Sequence, residues 1–228
     1  MHQRGKKDGF LSIWILLSGF CVAAAAVAAL CVLSESRLPD MVDRPLTDEE
    51  KKAVIDRNSP LTDYVYLSPN ADFPREGTVT KITIHHMGGN LGLEALGTRF
   101  SDQDRQVSSS YAIDSDGRIA LYVEEANRPW TSGSRENDNQ AVTIEVANDE
   151  TGGDWHVSDA AYEALIELCC DICRRNNIET LTWTGDADGT LTIHKMFAET
   201  ECPGPYLEGR MEEIARTVNE RLHGKEIS

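Results

Sequence analysis

Residues 81–89, Lys-Ile-Thr-Ile-His-His-Met-Gly-Gly, constrain this chain more than any other stretch. The alternating β-branched residues describe a strand, and the paired glycines behind the histidines describe a tight turn. Side chains on a strand alternate between faces, so His85 and His86 point to opposite sides. One imidazole is delivered to a site at the strand's C-terminal end, and the other packs behind it. A lone strand-end histidine is ordinarily a packed or hydrogen-bonded residue. A second stretch changes that reading: Ile193-His194-Lys195-Met196-Phe197-Ala198-Glu199-Thr200-Glu201-Cys202-Pro203-Gly204 places an imidazole and a thiol on one loop. Zinc takes imidazole and thiolate in tetrahedral geometry, and catalytic sites use three protein ligands with one position open. His85, His194 and Cys202 are a candidate set of this kind, with Zn2+ as the expected cofactor.

Ala141–Ala147 alternates as a buried strand with a single charge, Glu145. A carboxylate in an apolar strand is costly unless it is paired or lies near a metal. A salt bridge to an arginine and a place beside a metal both meet that condition.

Ile84-His85-His86-Met87-Gly88-Gly89, Ala141-Val142-Thr143-Ile144-Glu145-Val146 and His194…Cys202-Pro203-Gly204, in this order, resemble the zinc-dependent N-acetylmuramoyl-L-alanine amidases. That family shares a fold with the peptidoglycan recognition proteins and the lysozyme-like amidases of phages. The resemblance spans about Tyr64 to Leu207. It implies an α/β fold, a central mixed β-sheet flanked by helices, and a substrate, peptidoglycan, cut between N-acetylmuramic acid and L-alanine. It implies that Glu145 is the catalytic base. Thr200 stands where many bacterial members have lysine and where animal members with amidase activity often have threonine; its hydroxyl is the candidate oxyanion donor. Another branch uses a tyrosine from the Gln106–Tyr111 segment, a position that falls on Ser109 here, with Tyr111 two residues away in the core. Trp130-Thr131 stands where many relatives have Trp-His lining the cleft, so Trp130 is a candidate substrate contact and Thr131 lacks the histidine's chemistry. Non-catalytic members usually lose a zinc ligand, and all three positions match here. The competing readings are a non-catalytic peptidoglycan-binding module of the same fold and a membrane-tethered phage or prophage endolysin.

Phe10–Leu33 is a run of 24 uncharged residues. As a helix it would span roughly 36 Å against a hydrocarbon core of about 30 Å. That is too long for an ordinary core helix. Arg4, Lys6 and Lys7 precede it, so the positive-inside rule keeps the N-terminus cytoplasmic and exports the chain beyond the run. A cleaved signal peptide is the rival, but its apolar region is usually shorter, about 7–15 residues, with the small-residue site after it. Here Ala23–Ala26, Ala28 and Ala29 lie within the run. Phe20 and Leu30, directly before Cys21 and Cys31, argue against lipoprotein attachment. The expected organisation is a basic N-terminus at 1–9, a transmembrane anchor at 10–33, a linker at 34–60 and one zinc amidase domain at 61–228, monomeric, at the outer face of the cell membrane.

The formal net charge is -16, and after residue 40 there are 18 basic against 35 acidic side chains. An acidic body excludes a nucleic-acid partner, because phosphate contacts dominate that affinity. Thr47 with Glu50 forms a capping-box pattern for a helix over Thr47–Arg57. Strands are expected at Tyr64–Leu67, Thr78–His85, Tyr111–Asp114, Arg118–Val123 and Leu181–Gly185, with a turn at Asp116-Gly117. Leu91–Phe100 has a helical pattern. Asn127–Asn139 lacks periodicity and reads as a loop. Ser158 caps a helix over Asp159–Arg175, whose face carries Ala161, Leu165, Leu168, Cys169 and Ile172. Cys170-x-x-Cys173 sits inside that helix, so its cysteines read as core rather than metal or redox groups. A terminal helix is expected over Tyr206–Leu222. His86 is expected behind the site and His156 on the surface.

Overall fold

The structure, a computed structural model, describes residues 45–224. The expected segments 1–9 and 10–33, and residues 34–44 of the linker, lie outside the described residues. Among the described residues, no helix is long and apolar enough to cross a membrane.

The elements run α1 (Asp48–Arg57), β1 (Tyr64–Val65), β2 (Ala71–Asp72), β3 (Lys81–His86), α2 (Leu93–Ser101), β4 (Tyr111–Ile113), β5 (Ile119–Leu121), β6 (Arg128–Pro129), α3 (Arg135–Gln140), β7 (Ala141–Val146), α4 (Asp159–Arg175), β8 (Leu191–Ile193), α5 (Pro205–Glu208) and α6 (Met211–Leu222). Six strands form one sheet in the order β1-β5-β4-β7-β3-β8, and β2 pairs with β6 in a separate ribbon. Within the large sheet only the β4–β5 hairpin is antiparallel. This is the mixed sheet that the family resemblance implied.

Both faces of the sheet are covered, as a mostly parallel sheet requires. Ile82, Ile84, Val142 and Ile144 are buried, and so are Thr83, His85 and Thr143, which alternate with them. Helix α4 packs against β4 and β7, and α6 packs against α4. On the face shared by Ala112 and Glu145, α2 buries Leu93, Leu96 and Phe100 against Ala112, Ala120 and Tyr122. The polar side chains of that face pair with one another: the Thr83 and Thr192 hydroxyls lie 2.9 Å apart, and Thr143 Oγ1 meets both Ser109 Oγ and Thr131 Oγ1.

Helix starts reflect local chemistry. Thr47 Oγ1 accepts from the Glu50 N–H while Glu50 Oε2 accepts from the Thr47 N–H, completing the capping box. Ser158 Oγ accepts from the Ala161 N–H at 3.2 Å and caps α4 at the expected residue. Cys169, Cys170 and Cys173 are buried free thiols, as core residues would be.

Three expectations are corrected. The segment Asn127–Asn139 is not a bare loop; it holds β6 and α3, organised by side-chain bonds that hydrophobic periodicity does not reveal. Ser134 caps α3 by accepting from the Asn137 N–H, and Asp138 accepts from the Thr131 and Ser132 amides. Leu181–Gly185 is not a strand. Thr182 and Thr190 exchange backbone-to-hydroxyl bonds, and Leu181 bonds both ways to the Asn219 amide, so side chains satisfy this backbone. The edge of the sheet beside β3 is formed by β8. The terminal helix is two helices. It breaks at Gly209-Arg210, where the Arg210 guanidinium lies 3.7 Å over the Tyr206 ring and donates to the Tyr206 carbonyl.

Ser158→Ala removes the α4 cap and should lower unfolding free energy by about 1 kcal/mol, read as a reduced urea midpoint with unchanged slope.

Candidate metal and catalytic site

The site forms where parallel strands end, the usual position for ligands in open α/β sheets. Strand β3 pairs with β7 so that His85 lies opposite Glu145. Residues in register on neighbouring strands share a face, so the imidazole and the carboxylate are neighbours. Strand β8 flanks β3 on its other side, with Ile84 opposite Ile193. The next residue, His194, begins a 3-10 turn that carries its ring over to His85. The two ring centroids are 4.5 Å apart at an interplanar angle of 49°.

Cys202 arrives on the loop beyond this turn. That loop is closed by three backbone anchors: Lys195 N–H to Cys202 O at 3.2 Å, Gly204 N–H to Glu201 O at 2.7 Å, and Cys202 N–H to Thr200 Oγ1 at 3.2 Å. Gly204 has φ 83°, and a Cβ there would approach the Trp155 Cβ to 2.9 Å. The sulfur accepts the His86 N–H at 3.3 Å. The donor atoms of His85, His194 and Cys202 all fall within 4.8 Å of one another.

The electrostatics of these groups are set by burial. Burial, then His194 and His86, holds the His85 imidazole well below its ordinary pKa. Burial also lowers His194, partly offset by the Asp138 charge. Both rings are therefore neutral and able to donate a lone pair. Burial pushes the Cys202 thiol up, with Glu145 adding to the effect and the His86 N–H opposing it. The Glu145 side chain is half-buried, but its Oε2 is fully buried without a hydrogen-bond partner, and so is His85 Nε2. Burial raises the Glu145 pKa to about 8 against the pull of the Arg99 cation. Among the described residues no arginine or lysine forms an ion pair with Glu145, so the salt-bridge reading of that carboxylate is not what the fold adopts.

The remaining candidates sit around this centre. Thr200 uses its oxygen to accept the Cys202 N–H, which ties it to the loop. Trp130 is half-buried and donates its indole N–H to Asp72 Oδ1 at 2.9 Å. Ser109 is buried and bonded to Thr143, and Tyr111 is in the core with its hydroxyl on Glu125, so neither opens to the site. His86 lies behind the centre, edge-on to Trp155. His156 pairs with Asp149 and stacks edge-on against Tyr206. Asp138 was not legible as a site neighbour; the Ser134-x-x-Asn137 cap was the one local sign that this segment is ordered.

The family model for N-acetylmuramoyl-L-alanine amidase matches residues 75–205. Among solved structures, PlyL superposes with a TM-score of 0.55 at 17% identity, covering 68% of this chain and 95% of PlyL. The catalytic domain of XlyA gives 0.53 at 19%, covering 68% and 97%. A selenomethionine derivative of AmpD gives 0.52 at 19%, covering 67% and 93%. At these identities the likeness establishes the fold. No curated protein matches the chain.

In chelator-treated protein, Glu145 binds more protons folded than unfolded between its ordinary pKa of 4.5 and about 8. Its raised pKa therefore makes a contribution to stability that declines as pH rises through that window. The difference in unfolding free energy between Glu145→Gln and the parent should grow in favour of the variant from pH 5 to 8; a pH-independent difference would refute the assignment.

Proposed function

The chain belongs to the N-acetylmuramoyl-L-alanine amidase family, and on that premise we propose that it is a zinc-dependent peptidoglycan hydrolase. The bond cut joins the lactyl group of N-acetylmuramic acid to the L-alanine of the stem peptide. The observation that carries the reading is the convergence of three donor atoms beside a half-buried carboxylate whose buried Oε2 has no hydrogen-bond partner among the described residues.

The residues fit zinc. Two imidazoles and one sulfur are a borderline-soft donor set of the type zinc selects. The buried Nε2 of His85 lacks a hydrogen-bond partner among the described residues, and a buried polar atom of that kind calls for an ion, a water or a ligand. His85, His194 and Cys202 would hold the ion, and binding would displace the thiol proton of Cys202. When bound, zinc supplies Lewis acidity, which makes a water acidic near neutral pH.

Glu145 handles the protons. Its carboxylate takes the proton of the attacking water and passes it to the leaving amine. A pKa near neutrality serves both directions, because the group must be unprotonated at the start and acidic a moment later. The half-buried side chain admits a water while excluding bulk solvent. Thr200 fixes Cys202 through its oxygen and keeps its hydroxyl hydrogen for the developing oxyanion. Trp130, whose N–H is held by Asp72, offers substrate its ring rather than a donor.

The same proposal includes a membrane tether. The uncharged run 10–33 comes after three basic residues, an arrangement that suits a single-pass anchor with the hydrolase outside.

Mass analysis of digested peptidoglycan should show free stem peptides beginning with L-alanine; intact muramyl peptides after digestion with zinc-loaded protein would overturn the proposal. Glu145→Ala should keep its zinc and lose at least about 100-fold in turnover. Cys202→Ser should lose zinc and turnover together, as read by metal analysis alongside the digestion.

A further inference from the structure

Arg99 is exposed on α2. Among the described residues it is the one lysine or arginine with neither a hydrogen bond nor an ion pair; every other has a partner. Its neighbours Arg105 and Arg118, for example, pair with Asp102 and Asp114. In a chain with a formal charge of -16, carboxylates are abundant, so a cation left unpaired at the surface stands out.

Helix α2 fixes where this side chain stands. The helix lies on the sheet face shared by Ala112 and Glu145, with Leu93, Leu96 and Phe100 buried against Ala112, Ala120 and Tyr122. At about 100° per residue, Glu94 and Gly97 fall on one flank of that buried stripe, and Leu96 and Arg99 on the other. The first flank faces the β1–β5 edge of the sheet. A Cβ at Gly97 would meet the Tyr66 ring at 3.2 Å, and Glu94 lies 4.0 Å from Arg118. The sheet order is β1-β5-β4-β7-β3-β8, so the flank bearing Arg99 faces β7, and the Arg99 charge is felt at Glu145. No ion pair joins the two groups, which leaves the guanidinium available to another anion beside the centre.

The planar donor fork of arginine matches a carboxylate through two parallel hydrogen bonds. In the reaction proposed above, the glycan offers hydroxyls and acetamides, whereas the stem peptide beyond L-alanine carries free carboxylates. Glu145 serves the amine of L-alanine, and each further residue of extended peptide adds roughly 3.5 Å. A carboxylate one residue on is therefore within reach of a long side chain on the flank facing β7. We propose that Arg99 is a specificity-determining residue that binds the free carboxylate of the stem-peptide residue following L-alanine. The inference rests on the amidase reading of the centre, and its test separates the two.

Two muramyl peptides are compared on the full chain in detergent micelles: N-acetylmuramoyl-L-alanyl-D-glutamate and its fully amidated form, which has nearly the same shape and no charge on the peptide. Affinity is measured by titration calorimetry on zinc-loaded Glu145→Ala, and turnover on the parent. The carboxylate form should bind about tenfold more tightly at low salt, and the preference should shrink as salt rises. Adding Arg99→Gln should bring the affinity ratio close to one, while Arg99→Lys, a point charge without the fork, should keep part of it. In the parent background Arg99→Gln also changes the field at Glu145, but equally for both peptides, so the ratio of their kcat/KM values isolates recognition. Equal affinities, no binding of the carboxylate form, or an undiminished preference in Arg99→Gln would overturn the inference whatever the turnover. An affinity preference that Arg99→Gln abolishes, in a protein whose parent releases no L-alanyl peptide, would support carboxylate recognition and overturn the amidase reading alone.

Discussion

The parallel pairing of β3 with β7 is the constraint on which the rest of the site depends. Six residue pairs run in register from Lys81–Ala141 to His86–Val146. This register sets His85 beside Glu145 on one face and stacks Ile82, Ile84, Val142 and Ile144 on the other. A slip of one residue in either strand would exchange the faces, turning the carboxylate toward the side where the isoleucines and valines pack. The apolar half of the alternation therefore fixes the catalytic half. Burial of the isoleucines and valines supplies the stability that holds an otherwise unfavourable carboxylate in place.

Among the described residues, the buried polar atoms without a hydrogen-bond partner include His85 Nε2, His86 Nδ1 and Glu145 Oε2 at the C-terminal end of the sheet, with Arg75 Nη2, Asn137 Oδ1 and Tyr162 Oη elsewhere. Each unmet buried group costs about 1–3 kcal/mol. Several other polar side chains on the same face do not bear that cost. Thr83, Thr143 and Thr192 satisfy one another, and Asp138 is met by two amides and a hydroxyl. What separates structural polarity from a candidate site is unmet atoms coinciding with converging donors, as at His85, His194 and Cys202. The Cys202 loop shows the same division. Its backbone is pinned at Lys195, Thr200 and Gly204, while its sulfur receives only one amide donor.

Elements with strong periodicity or a local cap were legible in the sequence. The α4 helix begins after Ser158 and ends at Arg175, as its apolar face and cap require, and the Thr47 capping box is complete. Elements held by side-chain-to-backbone bonds were not legible. The α3 helix depends on Ser134 and Asp138, and the 181–190 segment depends on threonine hydroxyls and Asn219. The break before α6 involves a guanidinium lying over a ring one turn back. None of these carries a hydrophobic period, so a reading based on period passes over them.

The sequence by itself determined the chemical types at the site and the order in which they arrive: an imidazole at a strand end, a carboxylate in an apolar strand, then imidazole and thiol on one loop. Those come from local pattern, because side-chain alternation and turn chemistry act over a few residues. Only the tertiary structure decided that His85, His194 and Cys202 meet within 4.8 Å and that, among the described residues, no arginine forms an ion pair with Glu145. It alone shows Arg75 buried on backbone carbonyls of residues 125, 138, 139 and 141. Each of these is a question of which distant groups satisfy one another, and that is settled by packing and register across more than a hundred residues of chain, where no local period reaches.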